Sequence, residues 1–344
     1  MVAPVGPQLV SPRILVIGAA GMIGRKLVER LSKEAPEADL TLHDVVPFGS
    51  EHKTVVSDLS APGEAENLIA ARPELIFHLA AVVSGEAEVD FDKGYRVNLD
   101  GTRRLFEAIR KEGGGTAGSV AGSVAGSYRP RVVFTSSIAV FGAPFPDAID
   151  DEFLNAPLTS YGTQKAIGEL LLSDYSRRGF FDGIGIRLPT VCVRPGKPNK
   201  AASGFFSGII REPLAGEEAV LPVSESVRHW FASPRAAVGF LMHAAQLDTA
   251  RLGTRRNLSM PGVCATVGDE IEALRRVAGD QAAKLIRREP DPLVERIVSG
   301  WPQNFDASRA LALGFRADSS FEEIIRIHLR DELQKSAPPP KARA

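Results

Sequence analysis

Through the first half of the chain, short runs of adjacent apolar residues alternate with stretches whose apolar positions return every three or four residues. Arg13-Ile14-Leu15-Val16-Ile17, bounded by Pro12 and Gly18, predicts a buried strand. A helix is expected from about Met22 to Lys33, strands over Asp39 to Val45 and Lys53 to Ser57, and a helix over about Gly63 to Ala71. Leu75-Ile76-Phe77-His78-Leu79 predicts a fourth strand, followed by a longer amphipathic helix from about Phe91 to Lys111. Arg131 to Ser136 is expected as a fifth strand, Ser160 to Arg177 as a helix and Gly183 to Arg187 as a sixth strand. Apolar strands alternating with helices predict an α/β fold, a doubly wound parallel sheet covered on both faces.

The alternation stops near Arg194, where Pro195 to Lys200 is rich in Pro, Gly and Asn. The expected division is a flexible tail over 1–12, a sheet domain over 13–194, a smaller substrate-binding region over 195–336 partly interleaved with it, and a second tail over 337–344. Gly113 to Ser127 repeats the tetrad Gly-Ser-Val-Ala. Such composition does not recover its ordering entropy, which predicts a flexible surface insertion.

Charge narrows the partners. The 41 basic and 42 acidic side chains leave a net charge of −1, and with no basic stripe nucleic acid finds no electrostatic foothold. Cys192 and Cys264 form no CxxC or Cys/His spacing, and the six histidines form no HxxxH or HExxH, so neither a disulfide framework nor a metal is expected. Met1 to Ser11 lacks a positive segment leading into an apolar core, and no apolar run approaches the ~20 residues of a membrane span. The expected location is cytoplasmic, without a membrane partner.

Gly18-Ala19-Ala20-Gly21-Met22-Ile23-Gly24 follows the first strand and opens the first helix. Glycines there allow a tight turn, close approach of backbone to a pyrophosphate and close helix–strand packing, while the helix N-terminus offers N–H groups and a positive dipole end. Asp44 ends the second strand, where a carboxylate can bind both ribose hydroxyls and repel a 2′-phosphate, so NAD is expected over NADP. Asp58-Leu59 is placed to flank an adenine, and Leu79-Ala80-Ala81 supplies small side chains beneath the cofactor. Each feature alone also fits an ordinary turn or strand end; their order along one sheet makes the nucleotide reading.

Tyr161-Gly162-Thr163-Gln164-Lys165 puts a phenol and an amine four apart on one helical face. A free tyrosine, with its pKa near 10, needs a nearby ammonium and a positive nicotinamide ring to act as a base. Ser137, at the end of the fifth strand, can bind the reacting oxygen, and Asn98 on the long helix can fix a water that relays the proton.

These residues together resemble the extended short-chain dehydrogenase/reductases of the NAD-dependent epimerase/dehydratase superfamily. The resemblance rests on Gly18/Gly21/Gly24, Asp44, Asp58-Leu59, His78-Leu79-Ala80-Ala81, Asn98, Ser136-Ser137 through Phe141-Gly142, and Tyr161/Lys165, over roughly the first 190 residues. It implies a Rossmann sheet with a C-terminal substrate region, a tetrad of Asn98, Ser137, Tyr161 and Lys165, and a homodimer formed through long helices. It also implies cofactor contacts that include Met22, Ile23 and Pro189.

Departures within the family point away from nucleotide sugars. Thr190 stands where the sugar-nucleotide enzymes usually place an asparagine, and Ile138-Ala139 where the dehydratases carry an Asp-Glu pair. Arg228 matches the family's arginine for an anionic substrate group and can clamp a carboxylate at two points. Ala81 to Glu86, Ser160 to Lys165 and Arg187 to Gly196 resemble a narrower group, the D-erythronate dehydrogenases. That resemblance implies oxidation of the C2 hydroxyl of a small sugar acid, with Arg228 on the carboxylate, Ser137 and Tyr161 on the reacting hydroxyl, and Ser84 and Thr190 at the substrate. A nucleotide-sugar epimerase or reductase, an L-threonine-type dehydrogenase and a non-catalytic NAD-binding regulator stay open as alternatives.

Overall fold

The computed structural model describes residues 11–114, 128–196 and 203–333. The repeats expected as a flexible insertion and most of both expected tails lie outside them. The chain order begins with β1 (Arg13–Ile17), β2 (Asp39–Asp44), β3 (Lys53–Val56), β4 (Leu75–His78), β5 (Arg131–Ser137) and β6 (Asp182–Leu188). It continues with β7 (Thr190–Val191), β8 (Ala219–Leu221), β9 (Arg228–Ala232), β10 (Asn257–Ser259), β11 (Val263–Thr266) and β12 (Ile286–Arg288).

Seven of these strands form one parallel sheet in the order β10-β6-β5-β4-β1-β2-β3. The strand order reverses between β1 and β4, and in such sheets ligands sit outside the carboxyl ends of the strands at that switch. The sheet is buried on both faces. Against one face pack Leu27 and Leu31 of the helix Met22–Glu34 with Val238 and Leu241 of the helix Pro234–Gln246. Against the other pack Leu68, Leu105, Phe106, Ile109 and Leu172.

The sheet does not end at residue 194. Its seventh strand is β10, and the helix Pro234–Gln246 covers it. The C-terminal half thus completes the layers begun by the first half. A second core gathers Phe206, Ile210, Phe231, Ile271, Leu274 and Ile325 around two small sheets, β11-β9-β7 and β12-β8. The long helix expected over Phe91 to Lys111 is one rod in three registers: Phe91–Gly94 is α, Tyr95–Gly101 is π and Thr102–Glu112 is α again. The extra residue of a π-turn re-aims the side chains beyond it, and Asn98 sits inside it.

A buried charge cluster ties this frame together. Arg187 on β6 donates from Nε to Glu169 Oε1 (2.9 Å) and from Nη2 to Glu169 Oε2 (2.8 Å). Glu169 lies on the helix Ser160–Arg177 and also accepts from Ser136 Oγ (2.6 Å) and Asn155 Nδ2 (3.0 Å). Asp151 pairs with both Arg187 and Arg309 at 3.5 Å and accepts from the Ser259 N–H on β10 (2.7 Å). Removing one partner of a buried pair strands the other charge, which costs about 3–5 kcal/mol. Glu169→Ala is therefore expected to lower the unfolding free energy in urea by about that amount; a loss within ~0.5 kcal/mol, the range of ordinary surface substitutions, would show that the cluster does not hold the frame.

Candidate active site

The cleft opens at the carboxyl ends of the central strands, with a volume of about 400 Å³. Gly18, Gly21, Met22, Ile23 and Gly24 line one end of it, and Leu79, Ala81, Ser84, Pro189 and Thr190 line it further along. The turn after β1 admits only glycine at two points. A Cβ on Gly18, whose φ is +90°, would lie 2.6 Å from Ala80 N, and one on Gly24 would lie 2.2 Å from Gly18 O. A Cβ on Gly21 would meet only Gly18 O, at 3.4 Å, so its missing side chain leaves room on the cleft side.

The helix Met22–Glu34 starts there with no side-chain cap and no acidic residue in its first turn. Its first N–H groups and its positive dipole end suit a pyrophosphate. Asp44 accepts from the Ala20 N–H through Oδ2 (2.9 Å), which fixes the carboxylate at the end of β2 beside that turn. Ala80 itself is stitched to β1 through its N–H and Ile17 O (3.0 Å). These residues fit a dinucleotide.

At the expected adenine end the two neighbours part. Asp58 Oδ1 accepts from the Ser60 N–H and hydroxyl. Leu59, only 7% exposed, packs into the core with Ala65, Leu68 and Phe106. The apolar contact expected of its side chain is corrected to a core contact, since a leucine side chain gains more from that core than from a solvent-facing rim.

Tyr161 and Lys165 stand one turn apart on the helix Ser160–Arg177, and both line the cleft with Ser137. Thr159 caps this helix by accepting from the Gly162 N–H (3.0 Å). A Cβ on Gly162 would lie 2.1 Å from Ala139 O, so the glycine after Tyr161 lets the helix press onto the turn that follows Ser137. Lys165 is 3% exposed and donates from Nζ to Thr135 O (2.8 Å). Its ammonium lies 4.9 Å from the Phe134 ring centre and 5.8 Å from that of Tyr161. Burial pulls its pKa down to about 8, opposed by the Glu169 carboxylate one turn on.

The phenol of Tyr161 is pushed above its usual value by burial, while a hydrogen bond from Ser137 and the charge of Arg194 bring it down. Besides Lys165, the cation expected beside the phenol, Arg194 brings a second positive charge to it. Arg194 also lines the cleft. Its neighbour there, His229, shares a 2.6 Å hydrogen bond with Thr190 Oγ1, stacks on Phe206 and is driven by burial to a pKa of about 4. Neither residue was singled out in the sequence. The arginine's signal was a charge directly after the apolar run Val191-Cys192-Val193, and the histidine's was its place on a strand beside Arg228.

Two expected site residues stand elsewhere. Arg228 is exposed and is not among the cleft-lining residues. On a strand, neighbours face opposite sides, so when His229 turns into the cleft Arg228 turns out, and its charge is felt by Cys264 and Asp269. Asn98, 2% exposed, spends its amide on protein: Oδ1 accepts from the Val82 N–H (2.7 Å), and Nδ2 donates to Val82 O (3.0 Å) and Gln164 Oε1 (2.7 Å). It pins the backbone after β4 to the tyrosine-bearing helix, and the expected water-holding role is corrected to a positioning one. Among the described residues no group of three or more His, Cys, Asp or Glu side chains gathers to hold a metal, and no helix is long and apolar enough to cross a membrane.

A glycine-rich turn at the sheet's switch point, facing a tyrosine–lysine pair across one cleft, defines a nicotinamide-dependent oxidoreductase. The sequence profile of the NAD dependent epimerase/dehydratase family matches residues 14–257, and the chain belongs to that family. It is 48% identical over 331 residues to a D-erythronate dehydrogenase of Cupriavidus necator, covering 92% of this chain and 98% of that one. A D-erythronate dehydrogenase of Haemophilus influenzae is 41% identical, with coverages of 91% and 98%. Among solved structures, a nucleoside-diphosphate-sugar epimerase from Agrobacterium tumefaciens superposes with a TM-score of 0.87 at 62% identity, covering 95% of this chain and 96% of that one.

Lys165 yields a prediction whose sign is set by its depressed pKa. With a folded pKa of about 8 against an ordinary 10.5, burying the ammonium costs stability in full below pH 8, and the cost fades as pH rises toward 10.5. In cofactor-free protein, the difference in melting temperature between wild type and Lys165→Met should shift in favour of wild type across that interval. A difference that does not change with pH would contradict the buried charge.

Proposed function

We propose that this chain oxidises the C2 hydroxyl of D-erythronate to 2-dehydro-D-erythronate with NAD. The supporting observation is the joint one of a tyrosine–lysine–serine group lining the cleft and 48% identity to a D-erythronate dehydrogenase along nearly the whole of both chains. NAD would lie from the turn Gly18–Gly24 and Asp44 to Pro189 and Lys165, and when bound it accepts the hydride released from C2.

The protein's own part is proton handling and orientation. Ser137 and Tyr161 hydrogen-bond the C2 hydroxyl, and the Tyr161 phenolate takes its proton as the C–H bond breaks. Lys165, held on Thr135 O, stabilises the phenolate side of the cleft and would hold the nicotinamide ribose. Ser84, on the wall beside Val83, reaches the distal hydroxyls of the acid. Because burial raises the phenol's pKa, oxidation gains rate as pH rises toward that pKa.

A nucleotide-sugar epimerase is the second reading, favoured by the name of the Agrobacterium tumefaciens neighbour. Ile138 and Ala139 line the cleft where an acid pair would serve elimination, which speaks against a dehydratase, and Thr190 stands where the sugar-nucleotide enzymes usually place an asparagine, which speaks against an epimerase. Pairing of two copies through the helices Phe91–Gly94, Thr102–Glu112 and Ser160–Arg177 and a cytoplasmic location are part of this proposal. So is the assignment of residues 195–336 to the substrate side.

Tyr161→Phe should cut turnover with D-erythronate by at least about 100-fold, the scale of general acid–base catalysis, and should erase the rise of rate with pH. NADH binding, followed by fluorescence, should stay within a few-fold of wild type. Turnover near wild type, or a UDP-sugar that protects the protein against heating where D-erythronate does not, would overturn the proposal.

A further inference from the structure

The cleft holds a guanidinium whose neighbours leave it short of negative charge. Arg194 follows β7 and is fixed at both ends. Its N–H bonds Ser207 Oγ (3.0 Å), and its carbonyl accepts from Arg211 Nη1 (2.8 Å). Its Nε donates to Val191 O (3.0 Å), and Nη2 donates to Ser203 Oγ (3.0 Å). A guanidinium carries five N–H donors in a rigid fork, and among the described residues the edge carrying Nη1 makes no hydrogen bond and no carboxylate pairs with the group. Arg211, a neighbouring cation, is itself paired with Glu212. A partly buried cation without a counter-charge is costly, and burial with the neighbouring Arg211 drives the Arg194 pKa below its ordinary value. The same charge is felt by the Tyr161 phenol.

Resting on the reading above, we infer that Arg194, and not Arg228, receives the substrate carboxylate, and that the Thr190–His229 pair beside it reads a substrate hydroxyl. In a 2-hydroxy acid the reacting carbon is bonded directly to the carboxylate carbon. An enzyme that takes a proton from that hydroxyl therefore needs its anion-binding group alongside its base, and Arg194 lines the same cleft as Tyr161, with its charge felt by the phenol. In a nucleotide sugar with a neutral sugar the diphosphate is separated from a ring hydroxyl by the width of the sugar, so a cation beside the phenol meets no anionic group there. The fork of Arg194 takes a carboxylate at two points through its open edge. His229 is neutral at working pH and bonded to Thr190 Oγ1, which holds that hydroxyl in place on the cleft wall. Together they select a short polyhydroxy acid over a simple one.

The experiment compares wild type, Arg194→Gln, Arg194→Lys and Arg228→Gln on D-erythronate and on its uncharged amide. Truncating one partner of a hydrogen-bonded charge pair weakens binding strongly, so Arg194→Gln should raise KM for D-erythronate by about 100-fold or more. Activity on the amide should fall far less than activity on D-erythronate, by no more than the loss of the charge that lowers the Tyr161 pKa accounts for. Arg194→Lys should recover part of the loss, since it restores the charge without the fork, and Arg228→Gln should match wild type. D-erythronate's protection against heating should fall in parallel in Arg194→Gln, while NADH affinity and melting temperature stay near wild type. Equal KM values in wild type and Arg194→Gln, or a tenfold rise in Arg228→Gln alone, would overturn the inference and leave the proposed function standing. Wild-type protein inert toward D-erythronate would overturn the proposed function, and this inference with it.

Discussion

The grip of Arg187 on Glu169 is the constraint on which the cleft depends. Tyr161, Lys165 and Glu169 follow one another at four-residue spacing on one face of the helix Ser160–Arg177. The last of them is fastened to β6 at 2.8 and 2.9 Å and to Ser136 of β5 at 2.6 Å. Two buried charges repay their desolvation only when geometry is close and their remaining donors are bonded. Here Asp151, Asn155 and the Phe141 ring, 4.8 Å from the guanidinium carbon, complete the shell. The phenol and the amine thereby inherit the position of the sheet, and the same carboxylate that anchors the helix raises the pKa of Lys165.

Burial is the common cause behind the chemistry of the cleft. It lifts the phenol of Tyr161, lowers the ammonium of Lys165 to about 8 and keeps His229 neutral. Set against it are a hydrogen bond from Ser137 and the charge of Arg194. A desolvated site strengthens each of these interactions. A few well-placed groups therefore set the pKa values of the cleft.

Much of this was legible in the order of residues. The six strands from Arg13 to Leu188 were predicted to within a residue or two, because a doubly buried parallel strand leaves an apolar run that no surface segment needs. The glycines of the first turn were legible because packing at 2.2 and 2.6 Å excludes every other residue there. What was not legible depends on contacts distant in sequence. β10 joins the sheet through pairing with β6, and so short a strand carries no pattern of its own. The π-turn around Asn98 hides inside an unbroken helical pattern, and with it the amide's true partners, Val82 and Gln164. Choosing between Arg228 and Arg194 requires the facing of β9, since a one-residue shift in a strand exchanges inside for outside.

The most direct test uses D-erythronate carrying deuterium at C2, incubated with the enzyme and NAD. The account predicts that NADH forms with the deuterium in it, that turnover slows relative to unlabelled acid, and that the product is 2-dehydro-D-erythronate. Label that stays in recovered D-erythronate with no NADH formed, or label retained in a product oxidised at another carbon, would contradict it.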